Sequence, residues 1–109
     1  MAYDEILADR VRTALARRRG VVEKRMFGGM AFMLNGNMSW GIVKDQLMVR
    51  VGPKAFEEAL TQKHAKPMDF TGRPMKGMVY VDAKGIRTDE DLKTWVDRGV
   101  AFAKTLPKK

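Results

Sequence analysis

At 109 residues, with 45% apolar and 31% charged side chains, the chain has the material for one small domain with a modest core of its own. It contains no cysteine and a single histidine, His64, which excludes disulfides, thiolate chemistry and sulfur-based zinc sites and leaves few ligands for any other metal. The formal charge of +8 leans toward the N-terminal half and suits polyanionic partners, although the same balance also keeps a protein soluble.

Residues 4–19 read as an amphipathic helix, with Leu7, Val11 and Leu15 at four-residue spacing and Ala14 beside them. Asp4 and Glu5 suit its positive end, Arg17, Arg18 and Arg19 its negative end, and Gly20 is placed to terminate it. Those arginines complement a helix dipole. With Lys24 and Arg25 they also form five cations around Glu23 alone, a candidate basic patch.

Val21 to Phe27 predicts a strand, and Gly28-Gly29 a bend or bulge that lets backbones pack closely. The glycine pair has neither the pattern of a phosphate loop nor a helix behind it. Met30, Phe32 and Leu34 then alternate along a second strand, and Asn35-Gly36 is a strong signal for a two-residue hairpin. Met38, Trp40 and Ile42 are expected on one face of a third strand. Lys44-Asp45 turns the chain into a fourth, where Leu47, Val49 and Val51 oppose Met48 and Arg50.

Gly52-Pro53 ends this meander and opens a short helix whose apolar side is Phe56, Ala59 and Leu60. Residues 61–67 read as a polar connection, Met68 to Phe70 as a short strand, and residues 71–77 as a loop bounded by Gly72 and Gly77, with Pro74 inside it. Arg73 and Lys76 could present charge to an anion there; a plain wide turn is the blander alternative. Met78 to Val81 is a further strand, with Val79 and Val81 opposite Met78 and Tyr80. Thr88, with Asp91 three residues on, caps a last helix carrying Leu92, Trp95, Val96, Gly99, Ala103 and Leu106.

Together these elements predict an α+β fold, a two-layer sandwich of a largely antiparallel sheet with flanking helices. Its core is expected to contain Leu7, Val11, Leu15, Phe32, Trp40, Ile42, Val49, Phe56, Leu60, Leu92, Trp95 and Val96. Eight of the nine methionines, Met26, Met30, Met33, Met38, Met48, Met68, Met75 and Met78, are expected on both strand faces, which suggests core filling and, secondarily, a self-association surface using Met33, Met48 and Tyr80. Catalytic groups are sparse. Ser39 sits within a strand pattern, Glu57 and Glu58 diverge around a helix, and His64 lies between lysines in a polar stretch. A non-enzymatic protein with no cofactor is expected.

The segments Lys24-Arg25-Met26-Phe27-Gly28-Gly29, Gly36-Asn37-Met38, Leu47-Met48-Val49-Arg50-Val51, Gly72-Arg73-Pro74-Met75 and Met78-Val79-Tyr80 resemble the N-terminal domain of the TfoX/Sxy competence regulators. The match runs from the first helix to Trp95, and its structural motif is Phe27, Gly28, Gly29, Gly36, Gly72 and Pro74. It implies a fold of the secretion-chaperone type, residues 1–109 as a single such domain standing without the family's C-terminal one, and an accessory role in transcription regulation. A transcription factor such as a cyclic-AMP receptor protein is then the implied partner. Arg17, Arg18, Arg19, Lys24 and Arg25, with Arg73 and Lys76, are the candidate residues for nucleic acid or a protein partner. Two other readings stand beside this one: a chaperone-like or homodimeric interaction module, and a small-ligand protein or enzyme with its site near the glycine loops. No membrane-length apolar run or secretory pattern occurs, so a cytoplasmic location is expected.

Overall fold

The fold is that of a computed structural model, which describes residues 3–16, 18–26, 29–69 and 74–107. One antiparallel sheet contains β1 (Val21–Met26), β2 (Gly29–Leu34), β3 (Asn37–Val43), β4 (Gln46–Arg50), β5 (Ala65–Asp69) and β6 (Pro74–Val81). Helices α1 (Glu5–Ala14), α2 (Phe56–Leu60) and α3 (Asp89–Ala103) accompany it, with a tight helical turn at Ala83–Ile86. The strand order is β1-β2-β3-β4-β6-β5, so the expected meander is followed by a hairpin whose second strand joins β4 and whose first takes the outer edge.

Local chemistry fixes the register. Asn35 and Gly36 both have positive φ, 53° and 84°, the signature of the two-residue turn whose twist matches its strands, and they join Leu34 to its partner Asn37. With that register set, Phe32, Trp40, Ile42, Leu47, Val49, Val79 and Val81 share one face and are completely buried. All three helices cover that face, contributing Leu7 and Val11 from α1, Phe56 and Ala59 from α2, and Leu92, Trp95, Val96 and Val100 from α3. Each large apolar side chain so buried is worth about 1.5–3 kcal/mol. Trp40 donates its indole N–H to the Val96 carbonyl at 3.1 Å, and a Cβ on Gly99 would collide with that indole.

Several expectations need correction. The first helix ends at Ala14, so Arg18 and Arg19 lie in the connection to β1, where Gly20, at φ 83°, receives the Asn35 N–H on its carbonyl. Its N-terminus is as expected, with Asp4 accepting from the Ile6 and Leu7 amides. Met38 leaves the face of Trp40 and Ile42, because the β2–β3 register shifts beyond Phe32: Trp40 pairs with Phe32 but Met38 with Met33. The extra residue is Ser39, whose hydroxyl donates to the Asn37 carbonyl.

Ala65–Pro67, expected as connection, belongs to β5, an edge strand where a proline lacking its N–H is tolerated. Pro74–Gly77, expected as loop, is the start of β6. Leu60 is only half-buried and Ile86 joins the core instead. The last helix stops at Ala103.

Candidate functional site

Among the described residues β1 is hydrogen-bonded to β2 alone, so the strand carrying Lys24 and Arg25 lies at an edge of the sheet. Strand alternation divides its side chains. Glu23 and Arg25 pair with Phe32 and Met30 and lie on the helix-covered side; Lys24 pairs with Ala31 and lies on the other. Glu23 does not remain free. Arg12 of α1 donates from Nε to Glu23 Oε2 and from Nη2 to Oε1, both at 2.8 Å, and also bonds Asp9. The Glu23 hydrogen bond is the main cause that raises the Arg12 pKa above its already high value.

Arg18, Arg19, Lys24 and Arg25 are all exposed and make no ion pair with a described residue. Arg18 and Arg19 lie in the turn that leads into β1, and Lys24 and Arg25 near its far end on opposite faces, so the four do not cluster at one point. The one acid between them is already bridged by Arg12. What remains is exposed positive charge along an edge strand.

Arg17, Arg73, Phe27, Gly28 and Gly72 lie outside the described residues. Lys76 and Pro74 are in β6, four strand spacings from β1 or about 19 Å, so Lys76 lies apart from these cations. Gly29 acts structurally, because a Cβ there would collide with the Ile42 carbonyl oxygen of β3.

The face of the sheet without helices carries Met38, Met48, Met78 and Tyr80 packed together. It is less open than expected: Met48 and Met78 are buried, and Met33, Met38 and Tyr80 half-buried. Burial raises the Tyr80 pKa. Among the described residues, the large exposed apolar side chains are Ile6 and Val22.

Sequence reasoning missed a cleft of about 340 Å³ where the α2–β5 connection, the Ala83–Ile86 turn and α3 meet. Lys63, His64, Lys84 and Arg98 line it together with Asp91. His64 has a φ of 69°, and its Nδ1 lies 3.4 Å from Asp82 Oδ1, a buried oxygen with no hydrogen bond. Nothing local in Lys63-His64-Ala65 announces this, because the cleft exists only once three distant segments have folded together. Among the described residues no group of three or more His, Asp or Glu could hold a metal ion, and no helix is long and apolar enough to cross a membrane.

Among the described residues, an antiparallel six-stranded sheet with three helices on one face and a charged edge defines a small α+β domain. Residues 13–103 match the family model of the TfoX N-terminal domain, and the chain belongs to that family, one of regulatory-type domains. No curated protein matches the chain.

Proposed function

We propose that this chain is a cytoplasmic, non-enzymatic accessory factor in transcription regulation of the competence-regulator kind, acting by contact with nucleic-acid phosphates along the β1 edge. Family membership supports the regulatory part. The contact rests on one observation: Arg18 and Arg19 in the turn before the edge strand β1, and Lys24 and Arg25 within it, are exposed while Arg12 bridges the intervening Glu23. Exposed cations along a strand edge, without a base-reading helix, fix position on a backbone rather than read sequence, so sequence choice would fall to a partner transcription factor.

Amide chemical shifts followed by NMR during titration with a short DNA duplex test this reading. The expected result is shifts concentrated at residues 18–25 and their β2 neighbours. Shifts confined to the methionine face, or none at low salt, would refute it.

A second reading is a homodimeric interaction module using the helix-free face, where Met33, Met38 and Tyr80 are half-buried and Val22 is exposed. It requires a dimer in sedimentation velocity that Val22→Glu dissociates; a monomer at high concentration would remove it.

A further inference from the structure

We infer that the cleft between the α2–β5 connection, the Ala83–Ile86 turn and α3 binds a small molecule bearing a phosphate monoester, held by Lys63, Lys84 and Arg98. Each cation comes from a different element, so their charges converge through the fold rather than through a local run. Set against Asp91 in the lining and Glu58, which pairs with Arg98, the three cations leave a net charge of about +1, which favours an anion such as a phosphate monoester. Arg98 is preorganised. Its guanidinium lies 5.0 Å from the Trp95 ring centroid and donates from Nη1 and Nη2 to the Glu58 carboxylate at 2.6 and 3.4 Å, which fixes its position at the wall of the cleft. Lys63 and Lys84 are mobile point charges that can close on the ligand. The volume of about 340 Å³ is at the small end for ligand clefts, which fits a sugar or glycerol phosphate better than a dinucleotide.

The backbone at the cleft is also strained, as it is at Asn35 and Lys44 in the strand turns. His64 occupies left-handed conformation without being glycine, which costs about 1 kcal/mol or more and persists only where surrounding structure enforces it. A Cβ on Gly85 would lie 2.6 Å from Val81 Cγ1 and 2.9 Å from His64 Cβ, so the close approach needs glycine. The Asp82 amide donates to the His64 carbonyl at 3.1 Å, and Asp82 Oδ1 lies 3.4 Å from Nδ1 of the ring, which ties His64 to the start of the Ala83–Ile86 turn. The cleft lies beside β5, at the edge of the sheet opposite β1 and about 24 Å from it at strand spacing. It is therefore independent of the nucleic-acid contact, and either can fail without the other.

The test is an NMR titration of the protein with inorganic phosphate and with glycerol phosphate, using acetate as the comparison anion. Saturable shifts at the Lys63, His64, Lys84 and Gly85 amides are expected with both phosphates, and at least about tenfold weaker binding in Lys63→Gln/Lys84→Gln, whose exposed side chains can change without unfolding the domain. An unchanged thermal midpoint in that variant confirms its fold. Non-saturating shifts, equal binding by the variant, or the same response to acetate would overturn the assignment. So would a duplex DNA titration that moved these same amides, since the cleft would then belong to the nucleic-acid surface.

Discussion

Trp40 is completely buried against α3, and the helix approaches it so closely because residue 99 has no side chain. Gly99→Ala should therefore destabilise the fold. Alanine gains about 1 kcal/mol in helix propensity, but forcing a methyl onto the indole costs about 1–3 kcal/mol and also endangers the hydrogen bond to Val96. A lower midpoint in urea unfolding is the expected outcome, and a higher one would show that α3 can shift. Trp40 and Trp95 were legible as core anchors from their strand and helix spacing, but the spacing gives no hint that one fits against a glycine of the other's helix. Arg98 illustrates the same limit on the surface. Its hydrogen bonds to Glu58, forty positions earlier, hold that carboxyl below the ordinary carboxylate range. The contribution is present above the unfolded carboxylate pKa and disappears as pH falls through the lowered one. In Arg98→Gln the Glu58 carboxyl, followed by NMR, should titrate at its ordinary value.

Elements were legible where local pattern and tertiary role agree. The Asn35-Gly36 hairpin and the Thr88 cap, which accepts from the Asp91 amide at 3.0 Å, follow directly from residue chemistry. So does Asp4 at the start of α1, and Asp4→Ala should cost about 1 kcal/mol, seen as faster amide exchange at Ile6 and Leu7. The far end of α1 was misread because helical spacing through Leu15 continues into Arg17–Arg19, whereas β1 must begin at Val21 to pair with Leu34. Local periodicity cannot know where the neighbouring strand has to start. Only the Met68–Asp69 end of β5 was legible as strand, for a related reason: an edge stretch made of Ala65, Lys66 and Pro67 buries too little to alternate. The displacement of Met38 needed a bulge at Ser39, and no turn residue marks it.

At the scale of the whole molecule, the sheet topology turns a run of charges into a surface. The sequence displayed the cations, but not that Arg12 would reach from α1 to bridge Glu23, nor that Lys76 would lie on an inner strand away from the others. If the β1 edge contacts phosphate, Arg12→Ala should weaken DNA binding although Arg12 is engaged with acids rather than with DNA, because it returns the Glu23 charge to the edge. Adding Glu23→Gln to that variant should restore binding. Fluorescence anisotropy of a labelled duplex, recorded for the unaltered protein and for Lys24→Gln/Arg25→Gln across a salt series, is the most direct measurement. Affinity should fall linearly in log salt, and the variant should lose about 2 from the magnitude of that slope, one for each phosphate contact removed. An identical slope in the two proteins, or no binding at the lowest salt, would contradict the assignment of nucleic-acid contact to this edge.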